Sequence, residues 1–540
     1  MKRILSILAI CLLAALLPAE EILTVAESSN YTKTSLYDDV MDFLYRVQKK
    51  SGLVKILPLA TSSEGRMVPL VVLSRDPVRC PGDLAVYGKP AVLVMANIHA
   101  GEVEGKEASL MLIRDIALGK FANLIATQVL IFIPIFNADG NDKLGHNRRD
   151  DGPELAGVRY NGQNLDLNRD YLKLESSEVQ ALVGLFNSWD PVLTVDMHTT
   201  NGSYHREPVT YSTLLNPNSD RALSDFMWQK LFPDVAATLK TVYGYDSVPY
   251  GNFRDREFPE KGWESDALEA RYGSNYVGLR NRFSILDENY SYADFKTRVL
   301  ASRSFVTSIL EYTAKNIGVM AEMTRSCDRE TAARAGGEFI LEFRTEKLFD
   351  VTVKSYEFVK EEIKPEDRAK YPPWVGDFIM KKTAVLKDYK VPYFSLAVPT
   401  RTTPLPAGYV LSPFQHEALA NLKRHGIRVE RLLEGFTAEA ESFFITSLEV
   451  DKTLFQGRAR NTLKGRYETS TVEIPAGSYY IGLDQPLARL VPVLLEPESV
   501  DGLAAWGIFN RVIVQHWSNG LGPYPVRRLA RRPAVPMLGE

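Results

Sequence analysis

The sequence predicts an α/β domain reaching to about residue 315 and, after it, a smaller α+β region. Two observations carry that reading. Four apolar, β-branched runs, at residues 91–98, 128–136, 191–197 and 282–287, read as buried strands, and helical patterns alternate with them. Three of the four runs end on side chains able to do chemistry: His99 and Glu102 after the first, His198 after the third, Glu288 after the fourth. Ligands of open α/β sheets bind outside the C-terminal ends of the strands. Three such ends on one sheet edge therefore describe a convergent polar cluster.

The elements follow in order. Lys2-Arg3, the uncharged run 4–17 and Pro18-Ala19 have the layout of a secretory signal peptide with cleavage after Ala19. The run is short for a transmembrane helix, and no other stretch is long and apolar enough to span a membrane. The expectation is an exported protein, periplasmic or extracellular, with no stable membrane span after cleavage. Residues 31–50 carry apolar positions at helical spacing, with Thr32 or Thr34 placed to cap. Residues 53–60 and 67–74 form a hairpin about the turn Ser62-Ser63-Glu64-Gly65-Arg66. A helix is expected at 106–118, a tight turn at 137–142, and a long polar loop at 141–168, a length that usually signals function. Helices follow at 175–187, 220–239 and 292–315.

Past about residue 320 the pattern changes. Strands are expected at 338–344, 349–356, 409–411, 427–432, 452–467 and 471–483, helices at 415–425 and 503–514, and a linker or exposed loop at 364–374. The resulting division is a signal peptide at 1–19, an α/β domain at 20–320 that carries the polar cluster and a C-terminal α+β accessory region at 321–540. With 540 residues, 45% hydrophobic and 24% charged, the chain has room for more than one core. A net charge of −3 gives nothing to attract nucleic acid or an anionic membrane. Beyond the leader, Cys80 and Cys327 remain; export permits a disulfide between them without requiring one. The histidines of the second region, His416, His425 and His516, are scattered and form no cluster.

His99 and Glu102 stand three residues apart on a tight turn with Gly101 between them, so an imidazole and a carboxylate can reach one metal ion. A third ligand has to come from elsewhere in the chain. Glu104 competes for the carboxylate role but lies two positions farther from His99.

Taken together, His99-Ala100-Gly101-Glu102, Asp166-Leu167-Asn168-Arg169, His198 and Glu288, with the opening helix and Ser63-Glu64-Gly65-Arg66, resemble the zinc metallocarboxypeptidases of the carboxypeptidase A fold over about residues 28–320. The resemblance implies a mixed central sheet flanked by helices and one Zn2+ held by His99, Glu102 and His198, a ligand set that leaves a position open for water. It implies Glu288 as general base and proton shuttle, and Asp166 as the carboxylate that orients a ligand imidazole. Asn168 and Arg169 match the pair that holds the substrate's terminal carboxylate, for which a guanidinium fork is suited. An arginine that stabilises the oxyanion is expected in the long loop, at Arg149 in preference to Arg148. Tyr276, with Tyr272 as the other candidate, matches the tyrosine over the substrate. Two departures stand out. Gly101 occupies a place where the family's peptidases often carry arginine, and Gly273-Ser274-Asn275 offers no charged selector for the substrate side chain.

The expected activity is hydrolysis of the last peptide bond of a peptide with a free C-terminal carboxylate. The same zinc chemistry also serves amidases and deacylases acting on cell-wall peptides or N-acyl amino acids. A catalytically silent binding protein is the non-enzymatic alternative. The sequence leaves the oligomeric state open.

Overall fold

The computed structural model of the protein describes residues 21–540 except 148, 150, 266–267, 335, 372–374 and 515–519. The expected leader, Arg148 and His516 lie outside the described residues.

The apolar runs form the centre of an eight-stranded mixed sheet. Its strands are β1 (Val54–Thr61), β2 (Met67–Leu73), β3 (Ala91–Ala96), β4 (Val129–Ile133), β5 (Leu193–Thr200), β6 (Val209–Ser212), β7 (Ser247–Pro249) and β8 (Phe283–Tyr290), in the order β1-β2-β4-β3-β5-β8-β6-β7. The four central strands, β4, β3, β5 and β8, are parallel, and the β1–β2 hairpin and β6 pair antiparallel beside them. Strands buried on both faces need continuous apolar sequence, which is why these runs were legible. Alternate residues face two cores. Val92 and Val94 pack toward the helices α1 (Tyr37–Lys50) and α2 (Glu104–Ala117), whereas Leu93 and Met95 face α3 (Ser177–Trp189) and the C-terminal region.

Several elements differ from expectation. The helix expected at 292–315 runs from Phe295 to Ala333 as α4, so it crosses residue 320. Residues 137–142 form the short helix Ala138–Asp142, because the Asn137 side chain accepts the Gly140 N–H and caps it. Thr34 does not cap α1; its hydroxyl donates to buried Glu107 at 2.8 Å. Cys80 and Cys327 are both free thiols, one exposed and one buried.

The C-terminal region is built from two sheets. The strands expected at 338–344 and 349–356 are one long strand, β9 (Glu338–Glu362), paired antiparallel with β10 (Phe378–Pro404). Midway along, β10 pairs through Tyr393 and Phe394 with Trp263 and Glu264 of the α/β domain. A seven-stranded antiparallel sheet follows, in which Phe436–Val450 pairs with Asn461–Ile474. Residues 503–514 are turns that end in the short helix Asn510–Ile513, because Gly507 at φ 78° breaks the expected helix. Leu411, Leu422, Phe443 and Leu494 join Leu93, Met95 and Leu182 in one continuous core, so the two regions are welded rather than tethered.

Candidate active site

Asn97 starts the site. It follows β3 with φ 64°, a left-handed turn that asparagine tolerates, and its Nδ2 donates to the Ala100 carbonyl at 3.2 Å. The chain reverses there and enters α2, which approaches β5 so closely that a Cβ on Gly105 would lie 2.6 Å from Met197 Cβ. His99 and Glu102 are thereby set against β5. His198 lies inside β5 rather than beyond its end, and Glu288 likewise lies inside β8. Because these strands are parallel with Glu288 paired to His198, the two side chains share one face of the sheet.

Three ligating atoms converge. His99 Nδ1 and His198 Nδ1 are 3.2 Å apart, and the two Glu102 oxygens stand 3.2 Å from the first and 3.0 Å from the second. Donors about 2.0–2.1 Å from a tetrahedral ion stand about 3.3 Å from one another, so the observed spacing fits a zinc ion between them. The donor set, two imidazoles and a carboxylate, is that of a catalytic zinc site. All three residues are buried. Glu104 is not part of the group: it pairs with buried Arg298 at 2.7 Å and accepts from Thr199 Oγ1 at 2.5 Å.

Behind the ligands stand two carboxylates. Asp166 Oδ1 is 3.0 Å from His99 Nε2, and Asp196 Oδ2 is 3.0 Å from His198 Nε2. Burial pushes the Asp166 carboxyl up, but His99 and Arg159 outweigh it and hold it well below the usual range. Burial likewise opposes the His198 cation, yet Asp196 and Glu102 raise its pKa well above the ordinary value. Glu102 is held low against its own burial by the same two imidazoles.

The Glu288 carboxyl stands beside His198, half-buried in the wall of the cleft. Burial raises it to about 8; the His198 charge opposes this, while Glu102, Asp287 and Asp196 add to it. Its Oε2 has no partner among the described residues. The neighbouring Asp287 points to the opposite face, where Ser302 donates to it at 2.5 Å, and burial raises it to about 7. The sign is then fixed: a carboxyl raised on folding stabilises fully below its unfolded pKa, and that stability is lost as pH rises through about 7. Asp287→Asn is therefore expected to raise the unfolding midpoint more at pH 8 than at pH 5. A difference on the order of 2 kcal/mol is expected, and thermal melts at the two pH values check it.

A cleft of about 1220 Å³ opens over this group, lined by His99, Glu102, His198 and Glu288 and by Arg149, Arg159 and Arg169. Arg149 donates to the Gly101 carbonyl at 2.8 Å and lies 3.2 Å from Glu102. Asn168 and Arg169 line the same cleft, in the turn Leu167–Arg169 capped by Asp166. The Arg169 guanidinium sits 4.2 Å over the Tyr272 ring. Tyr276, expected over the substrate, is not in the cleft. It is buried in the core, its hydroxyl 2.8 Å from His425 Nδ1 and 3.2 Å from Arg280. Burial drives the His425 pKa down to about 3, so its neutral ring partners the phenol. Of the two candidates it is Tyr272 that lines the cleft, as Tyr160 and Tyr250 also do.

Sequence reasoning missed Arg159 and Asp196. Arg159 Nε donates to Asp166 at 2.7 Å, and its Nη1 lies 3.7 Å from Glu102. The available signal was a lone arginine seven residues before Asp166. The same loop also accounts for Gly101: a Cβ there would meet the Gly157 carbonyl at 2.7 Å and the Arg149 guanidinium at 3.4 Å. The space an arginine at 101 would need is already taken, and guanidinium groups arrive from the 141–168 loop instead. Asp196 carries the alternation signal, two residues before His198 on the same face.

Residues 40–261 match the family model described as zinc carboxypeptidase, and the chain carries that domain there. The chain is similar to "Carboxypeptidase 2" of Trichophyton equinum and of Trichophyton rubrum, each 24% identical over 469 residues, covering 83% of this chain and 79% of the relative. It is also similar to "Probable carboxypeptidase 2" of Arthroderma benhamiae, 23% identical over 462 residues, with coverages of 82% and 79%. Among solved structures it resembles the metallo-carboxypeptidase from Burkholderia cenocepacia, at 16% identity and a TM-score of 0.41 over 52% of this chain and 70% of that one.

Proposed function

We propose that the protein is an exported metallocarboxypeptidase that removes the C-terminal residue of peptides with a free carboxylate. The single observation that carries the reading is the His99–Glu102–His198 group with Glu288 beside it on the sheet and Arg169 across the cleft. Zinc in that group supplies an acidified water and a Lewis acid for the scissile carbonyl.

The chain's own residues do the rest. Asp166 and Asp196 hold the two imidazoles so that each presents Nδ1. Glu288, raised by burial, takes the proton of the attacking water at its unpartnered oxygen and passes it to the leaving amine. Arg149 leaves Glu102 to stabilise the negative oxygen that develops on the carbonyl. Asn168 and Arg169 fix the terminal carboxylate, and Tyr272 braces Arg169 through its ring face. The leader at 1–19 supports export, and no helix among the described residues is long and apolar enough to cross a membrane.

Arg169→Met tests the carboxylate assignment. For a free-acid peptide, KM is expected to rise about 10- to 100-fold, the worth of a charge-assisted bidentate pair, with kcat much less affected. An unchanged KM takes Arg169 out of this role. N-acyl amino acids and cell-wall peptides present the same α-carboxylate and belong in the same steady-state panel.

A further inference from the structure

The segment that carries Asp166, Asn168 and Arg169 is gripped from the C-terminal region. Gln456 Oε1 accepts the Asp166 N–H at 2.9 Å. Arg458 Nε donates to Glu175 at 2.6 Å, and Glu175 is in turn 2.9 Å from Lys173 Nζ. Asn421 Nδ2 donates to the Leu172 and Lys173 carbonyls at 2.9 and 3.1 Å. On the other side of Arg169, Asp501 accepts both the backbone N–H and the guanidinium of Arg271, at 3.1 and 2.8 Å. Arg271 is followed by Tyr272, the ring that carries Arg169.

The Asp166 side chain is already committed three ways, to His99 Nε2, Arg159 Nε and the Asn168 N–H. Among the described residues its backbone N–H has only Gln456. The turn it opens is a three-residue 3₁₀ segment, too short to hold its own position by internal bonds. The contact also has a built presenter. Gln456 sits at φ 54° between Phe455 and Gly457 at φ 71°, in a turn closed by hydrogen bonds in both directions between Phe455 and Arg458. A residue with a Cβ is held in that left-handed conformation only where its surroundings fix it. Phe455 stacks on Trp506 at 6.1 Å, which anchors the turn to the C-terminal core.

We propose that Gln456, supported by Arg458, is a positioning residue for catalysis: the C-terminal region sets the place of the carboxylate that orients His99 and of the guanidinium that receives the substrate's terminus. The claim rests on the roles given above to Asp166 and Arg169, and it makes residues 451–460 a working part of the active site rather than an appended module.

Gln456→Met keeps the side-chain length and removes the acceptor; Arg458→Met removes the pair with Glu175. In each, KM for a free-acid peptide is expected to rise about three- to tenfold with kcat within about twofold. Zinc affinity in chelator competition is expected to fall about three- to tenfold, short of the loss seen when a direct partner of a ligand is removed. A packing role alone would lower the melting temperature and leave both constants at their wild-type values. That result in both variants overturns the proposal. Should the wild-type protein release no C-terminal residue from any peptide, the functional reading fails instead, and the zinc competition by itself decides the positioning role.

Discussion

Glu288→Gln is expected to lower kcat by about 10³-fold or more while leaving zinc stoichiometry unchanged. The magnitude follows from its two tasks, because one carboxylate both accepts the water's proton and delivers it to the leaving amine, and general acid–base help is typically worth about 10²- to 10⁴-fold. The unchanged zinc content follows from geometry: Glu288 is next to His198 across the β5–β8 pairing but outside the three converging ligand atoms. The pH dependence gives a second signature. Glu288 acts as a base, so turnover rises as pH climbs through its pKa. Burial places that carboxyl at about 8, far above the ordinary 4.5. A dication beside it favours the charged form and draws it down. The acid limb of kcat/KM is therefore expected between these two values, and Glu288→Gln removes the limb. A glutamine variant with near-normal turnover contradicts the assignment.

His198→Ala is expected to abolish activity by releasing the metal. It deletes one of three donors and leaves two carboxylates, Glu102 and Asp196, facing a void. The loss in zinc affinity should exceed about 10²-fold, the upper range for removing a partner behind a ligand. Chelation followed by zinc restores the wild type and not the variant. The wild-type affinity should itself rise with pH. His198 carries a raised pKa in the metal-free protein because Asp196 and Glu102 stabilise its cation against burial, so a proton competes for the same nitrogen and metal uptake releases it. Isothermal titration in buffers of different ionisation enthalpy counts that proton.

What the sequence disclosed follows the physics of each element. β3 is buried along its whole length and reads as an unbroken apolar run, and the apolar stretches that open β5 and β8 stop just before His198 and Glu288, which lie within the strands. His99, Glu102, Asp166, His198 and Glu288 lie close to one another in the structure. Tyr276 and Tyr272 could not be separated, because what decides between them is long-range. One hydroxyl finds His425, 149 residues away, and the other ring faces the cleft under Arg169. Arg159 has no periodic neighbour and lies in an irregular loop, where side-chain direction leaves no pattern. The long strand β9 reads as two pieces and its partner β10 as none, because repeated register shifts and exposed charged positions interrupt the alternation. The strand Phe436–Val450 went unread for the same reason, its inward positions being separated by acidic and hydroxyl side chains.

The central claim is that this cleft combines zinc hydrolysis with recognition of a free chain terminus. Its most direct test is mass-spectrometric product analysis of one peptide, supplied as the free acid and as the C-terminal amide, with zinc-loaded and zinc-stripped protein. The expected result is stepwise loss of single C-terminal residues from the free acid, at least about 10-fold slower release from the amide, and no products without zinc. Equal turnover of acid and amide, internal cleavage, or full activity after zinc removal would contradict it.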